Sequence, residues 1–213
     1  MKKVLSVFLI SVLGCVLAFA EIDNLFQKAK AMQKEKQYSE SIKTYQNFLK
    51  KAPEAKESSD AQYNIGTCYS KMKDYDSAIK EFQLVIDKFP ERKKAVDACL
   101  QIGGIYQKKQ KKYESAIKTY QVVIDKYPDS KKVVNAQFEL GACYEKIKNN
   151  KRAIEEYQKV INNFPDSKKA ENAKEKIAKL KGQKVETKDK KNTIKKKKSP
   201  KTEEDLPTQD DEE

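Results

Sequence analysis

Catalysis needs a nucleophile, a base or a set of metal ligands, and this 213-residue sequence offers few of them. It contains no His, which excludes Ser-His-Asp and Cys-His catalysis and every His-ligated metal site. Cys68, Cys99 and Cys143 are widely separated and none is paired as CxxC. They read as small buried apolar residues on helices. Adjacent acids such as Glu155 and Glu156 point in different directions on a helix and read as a solvated face. Gly103-Gly104 is a lone pair inside a helical pattern, not a nucleotide fingerprint. No phosphate loop, metal-ligand cluster or GxSxG is present. These residues predict a non-enzymatic protein with no metal and no cofactor, so its chemistry is that of binding.

The elements that would carry a binding surface are written in a repeat. Pro53, Pro90, Pro128 and Pro165 recur at 37 to 38 residues, and Gly66, Gly103 and Gly141 keep the same rhythm. Ala61, Ala98, Ala136 and Ala173 correspond, as do Ile65, Ile102, Leu140 and Ile177. Tyr69, Tyr106 and Tyr144 form a further set, with Ala78, Ala116, Ala153 and with Phe82, Tyr120, Tyr157. Self-similarity at such a period means a solenoid. Within one period, Ala61, Ile65, Cys68 and Tyr69 share a helical face. A polar turn near residues 71–74 leads to a second helix carrying Tyr75, Ala78, Ile79, Phe82, Val85, Ile86 and Phe89. Pro90 ends it, because the residue before a proline is driven out of helix. Asp129-Ser130 and Asp166-Ser167 are expected to cap the helices that follow. A mid-helix glycine costs about 1 kcal/mol against alanine, so three at one register point to close helix–helix approach. The expected architecture is all-α, with hairpins near 22–52, 57–89, 94–127 and 131–164 and a Lys/Glu-rich capping helix near 168–182.

Gly66-x-x-Tyr69, Tyr75-x-x-Ala78, Phe82 and Pro90 together resemble the tetratricopeptide repeat (TPR). Tyr127-Pro128-Asp129-Ser130, followed by Ala136, Leu140-Gly141 and Tyr144, is similar to bacterial envelope members. These are the CpoB-type cell-division coordinators and the BamD-type outer-membrane assembly lipoproteins. The resemblance covers residues 22–182 and implies a right-handed TPR solenoid whose concave face, built from the first helix of each pair, binds protein or peptide segments. Carried across by register, the groove rows are Asp23, Phe26, Lys30, Gln33, Lys34; Asp60, Tyr63, Thr67, Ser70, Lys71; Asp97, Leu100, Gly104, Gln107, Lys108; and Asn135, Phe138, Ala142, Glu145, Lys146. Phe26, Tyr63, Leu100 and Phe138 make an apolar ladder that either anchors a ligand or packs between repeats. Lys34, Lys71, Lys108 and Lys146 make a basic ladder two turns along, and Thr67, Gly104 and Ala142 open a trough between them. A segment with apolar anchors and an acidic stretch would fit.

Two regions flank the repeats. Residues 1–20 begin with Lys2 and Lys3, continue through an apolar run, and finish Ala18-Phe19-Ala20, a signal-peptidase pattern that leaves Glu21 first. A rival reading takes Val12-Leu13-Gly14-Cys15 as a lipobox that anchors the protein through lipidated Cys15. A third reading leaves the apolar run uncleaved as an anchor. All three predict an exported protein with residues 21 onward outside the cytoplasm, periplasmic or membrane-anchored. Residues 183–213 carry nine Lys and nine acids, basic first and acidic at residues 203–213. Dense charge without aromatics predicts a disordered tail. The whole chain is +13. Without Lys2 and Lys3 it is +11, and since the tail is neutral that charge lies on the solenoid. Its lysines gather at the turns between paired helices, an edge suited to acidic proteins, anionic polymers or lipid head groups. Nucleic acid is not an expected partner, because export separates the two and no aromatics interleave the lysines.

Overall fold

The computed structural model describes residues 20–182; the proposed leader, with Cys15, and the proposed tail lie outside the described residues. Within them the chain is helical from end to end, with no strand. Helix α1 is described over 20–34. It is followed by α2 (Tyr38–Lys51), α3 (Ser58–Lys71), α4 (Tyr75–Lys88), α5 (Lys93–Ile105), α6 (Tyr113–Lys126), α7 (Val133–Lys146), α8 (Asn150–Asn163) and α9 (Lys168–Leu180). Each helix from α2 onward packs on its neighbours in sequence, and α3 touches α5 as α7 touches α9. This is a solenoid of four hairpins with α9 covering the last, at the boundaries the repeat predicts.

The second helix of every hairpin buries the same three positions at i, i+4 and i+7. These are Ser41, Tyr45, Phe48; Ala78, Phe82, Val85; Ala116, Tyr120, Val123; and Ala153, Tyr157, Val160. The first helices answer with Ala61, Ile65, Cys68; Ala98, Ile102, Ile105; and Ala136, Leu140, Cys143. One stripe per helix is the amount a hairpin can cover, so the core runs as linked clusters along the solenoid axis. Where Ser41 replaces the alanine of the other repeats, its hydroxyl donates to the Ala29 carbonyl at 2.8 Å and lies 3.7 Å from the Cys68 sulfur. The substitution is therefore satisfied by hydrogen bonding.

The glycines sit where the expected close approach occurs. A methyl group on Gly66 would lie 2.8 Å from the Phe82 ring. On Gly103 it would lie 2.5 Å from the Tyr120 ring, and on Gly141 2.8 Å from that of Tyr157. Each large aromatic of the second helix thus fills the space that a side chain on the first would take.

The turn inside each hairpin has its own geometry. Lys36, Lys73, Lys111 and Lys148 all adopt positive φ, between 55° and 66°. In three hairpins the lysine amide and the one after it reach back to the preceding helix, as in Lys73 to Ser70 at 3.1 Å and Asp74 to Tyr69 at 3.0 Å. This is the left-handed helix stop that glycine favours, and a side chain there costs about 1–2 kcal/mol. The third hairpin differs. One extra residue separates Tyr106 from Tyr113 compared with Tyr69 from Tyr75. It is absorbed as a π-helical turn over Tyr106–Gln110, closed by the Lys112 amide on the Tyr106 carbonyl. That turn accounts for the single 38-residue spacing.

Helix starts depart from expectation at one point. Ser167 accepts from the Ala170 amide at 3.1 Å and caps α9 as predicted. Ser130 instead accepts from the Lys132 amide, and α7 begins later, after Lys132, with no side-chain cap. The chain turns once more there, so Asp129 and Ser130 shape the connection and not the helix end. The unpredicted caps are Asp74 for α4 and Asn149 for α8.

Candidate functional site

First helices line one face of the array, and a cleft of about 330 Å³ opens on it between α3, α5 and α7. Its lining includes Ser70, Leu100, Gln101, Gly104, Lys108, Asn135 and Glu139. Gly104 lies on the open side of α5: a methyl group there would meet no heavy atom within 4 Å, in contrast to its neighbour Gly103. Thr67 and Ala142, its counterparts, are half-buried. Of the three small residues, Gly104 of the third repeat lines the cleft. Gln101 and Asn135 bring side-chain amides, each both donor and acceptor, to the rim of an apolar floor. That combination can hydrogen-bond a polypeptide backbone while Leu100 touches a side chain.

The apolar ladder divides between packing and surface. Phe26 is 7% exposed and packs on Tyr45 and Phe48 at ring distances of 5.7 and 5.4 Å. Phe138 is 9% exposed and lies 5.2 Å from the Tyr157 ring. Tyr63 and Leu100 are half-buried, with Tyr63 5.2 Å from Phe82. A lysine from the next repeat covers two of the rings: Lys94 stands 4.6 Å from the Tyr63 centroid and Lys169 4.3 Å from that of Phe138. Leu100 is thus the ladder member that reaches the cleft.

The acids of the same rows are engaged between repeats. Asp60 pairs with Lys94 at 3.2 Å, and Asp97 pairs with Lys132. Asn135 occupies the corresponding place in the fourth repeat, and there Lys169 turns to Glu139 at 3.8 Å. Lys34, Lys71, Lys108 and Lys146 are all exposed near the ends of their helices. Lys108 lies 3.8 Å from Glu139, so the cleft is bordered by both signs of charge.

A second set of groove residues holds the hairpins together. Tyr45 donates to Gln33 at 3.3 Å, Tyr120 to Gln107 at 3.1 Å and Tyr157 to Glu145 at 3.0 Å. Asn64 of the next repeat donates to the Tyr45 hydroxyl at 3.0 Å, and Lys176 of α9 donates to Glu145. Burial raises each of these phenols, Tyr45 to about 12, so they remain protonated donors. Sequence reasoning missed this role. The signal was a covariation: the repeat with Phe82 in place of tyrosine carries Ser70 in place of the acceptor.

The thiols take no part in the surface. Cys68, Cys99 and Cys143 are unpaired and buried, and desolvation raises them, Cys99 to about 11 and Cys143 to about 12. Among the described residues no group of three or more Cys, Asp or Glu side chains is placed to hold a metal ion. None of the described helices is long and apolar enough to cross a membrane.

Comparison with known proteins agrees with this geometry. The family model described as tetratricopeptide repeat matches four times, at residues 23–55, 60–92, 97–130 and 135–167, one match per hairpin. Among solved structures, a tetratricopeptide repeat protein from Parabacteroides merdae superposes with a TM-score of 0.62 at 14% identity, over 76% of this chain and 60% of that one. The chain thus spans less than two thirds of that relative. A crystal structure of MamA protein gives 0.58 at 18% identity over 76% and 82% of the two chains. MamA from Desulfovibrio magneticus, residue 41 to the end, gives 0.54 at 17% over 76% and 93%. At these identities the likeness is one of fold. No curated protein matches the chain. Four family matches spanning more than half of the sequence, each coinciding with a hairpin of the predicted boundaries, show that the chain belongs to the tetratricopeptide repeat family and is, as such, a protein-interaction scaffold.

Proposed function

We propose that this protein is an exported scaffold of the bacterial envelope that seats a segment of another protein along its first-helix groove. The observation that carries the reading is the cleft centred on Leu100 and Gly104, where an apolar floor, side-chain amides and Lys108 converge. The ligand is an extended or helical segment that lays a small apolar side chain against Leu100. It offers its backbone to Gln101 and Asn135, and an acidic residue to Lys71 or Lys108. Export rests on residues 1–20, and the envelope role on the likeness of residues 127–144 to CpoB-type and BamD-type proteins. Of the two, coordination of cell division in the CpoB manner is the reading we adopt, with release after Ala20. The BamD-like alternative requires lipid on Cys15. An anionic polymer or lipid surface meeting the lysines is the third reading.

The test places a photoreactive residue at position 70, on the α3 wall of the cleft, and a control at position 83 on α4, in cells carrying the full chain. Capture of one envelope protein through one segment, from 70 and not from 83, supports the reading. Equal capture from both positions, or capture only of cytoplasmic proteins, overturns it. Fractionation with mass determination of the processed chain separates an N-terminus at Glu21 from a lipidated Cys15.

A further inference from the structure

The four lysines at positive φ stand in the left-handed region, which costs a residue with a side chain more than right-handed helix or strand, once in every hairpin. Glycine or asparagine would hold the same turn without strain. All four are exposed, and among the described residues none forms an ion pair. The turns follow one another along a single edge, and Lys108 and Lys109 add to it. Nearby acids are partly spent: Asp74 caps α4, and Asp76 accepts from Gln110 at 2.9 Å. The backbone hydrogen bonds of the turn would form equally well with glycine, so they account for the positive φ and not for the recurrence of a charged side chain there.

We propose that this turn edge seats the chain's own acidic segment, residues 203–213. Charge is the first argument: the segment holds seven acids and no Lys or Arg. Length is the second. Eleven residues extend to about 35 Å. Packed helices lie ~8–10 Å apart, so four turns at roughly 10 Å per repeat span about 30 Å. Reach is the third: the residues between α9 and residue 203 can stretch to at most about 75 Å, enough to return along the whole array. The nearer lysines of residues 184–201 compete for the same acids. That pairing would order two strands, whereas the edge is already fixed and only one strand loses freedom. The seated segment cancels much of the edge's field and keeps other polyanions from it until a denser one displaces it.

The experiment is zero-length carbodiimide crosslinking of the dilute full chain, mapped by mass spectrometry at low and high salt. Crosslinks from the acids of 203–213 to Lys73, Lys111 and Lys148 within one molecule are expected, and salt should remove them. Crosslinks confined to residues 184–201, crosslinks on other faces, links only between molecules, or none would each overturn the proposal. A variant with Lys36, Lys73, Lys111 and Lys148 all changed to Gly relieves the backbone, so it should fold at least as well, and crosslinks from 203–213 to Lys108 and Lys109, whose amines remain on the edge, should fall. With heparin as probe, deleting residues 203–213 should tighten binding several-fold, the size set by a tethered competitor at about 1 mM effective concentration. Unchanged heparin affinity contradicts it. Gly104 is untouched by these changes, so the result is independent of groove binding.

Discussion

Gly103 and Gly104 are adjacent on α5, and the structure assigns opposite signs to the same substitution at the two sites. Alanine at either position gains about 1 kcal/mol of helix propensity. At Gly104 the new methyl meets no heavy atom within 4 Å, so that gain stands alone. At Gly103 the methyl lies 2.5 Å from Tyr120 Cε1 and 2.8 Å from Cζ, about 1 Å inside ordinary carbon contact. The ring cannot swing away, since it is 2% exposed and its hydroxyl is held by Gln107 at 3.1 Å. Overpacking of this kind costs about 1–3 kcal/mol, and the locked ring places it near the upper end. The net is a loss of about 1–2 kcal/mol for Gly103→Ala against a gain of about 1 for Gly104→Ala. Urea titration followed by far-UV circular dichroism reads both as midpoint shifts at constant slope. In melting temperature a kcal/mol is worth roughly 2–4 °C for a domain of this size, so the variants should straddle the parent by several degrees. Shifts of the same sign would refute the account of the packing glycines.

Tyr120→Phe should cost about 1 kcal/mol in the same titration, the worth of one buried hydrogen bond whose acceptor is left behind. The matching change in the second repeat is already present as Phe82 beside Ser70, so Phe82→Tyr should gain nothing unless Ser70 is also made Gln. Ellman's reagent should find the thiols of Cys68, Cys99 and Cys143 unreactive in the folded chain and reactive in denaturant, since burial raises all three; fast labelling of Cys99 or Cys143 before unfolding would contradict the packing. Burial also raises Glu81, countered in part by the Gln62 side-chain amide. An acid raised on folding favours the folded state most below its unfolded pKa, near 4.5, and loses that advantage as pH rises through the folded value. Glu81→Gln should therefore flatten stability against pH above 4.5 and be neutral or stabilising at pH 7, as urea midpoints across pH would show.

The hairpins were legible because the sequence states the same stripe four times. Ala78, Phe82 and Val85 would be ambiguous alone, but with Ala116, Tyr120, Val123 and Ala153, Tyr157, Val160 in register they fix both period and face. Gly66, Gly103 and Gly141 pointed to a close approach for the same reason. The tasks of the groove residues were less legible, because register assigns a position to a face without saying what already touches it. Phe26 and Phe138 face inward onto Tyr45 and Tyr157, and Asp60 and Asp97 are held by lysines one repeat away. The lysines are 34 to 35 residues distant and the tyrosines 19, beyond any local pattern. The turn lysines escaped notice because Lys carries no preference for positive φ. The one-residue lengthening before Tyr113 was visible as a spacing, but its form as a π-turn was set by the Tyr106 carbonyl.

The central claim is that a protein segment lies in the trough at Gly104, and filling the trough tests it most directly. The segment captured from position 70 is titrated by calorimetry into the parent chain and into Gly104→Trp, with the melting temperature of each recorded. An indole on the open side of α5 occupies the space of the ligand and leaves the hairpin core unchanged. The account predicts an affinity loss of about tenfold or more, at least ~1.4 kcal/mol, with the melting temperature retained. Equal affinity for the two chains would contradict it.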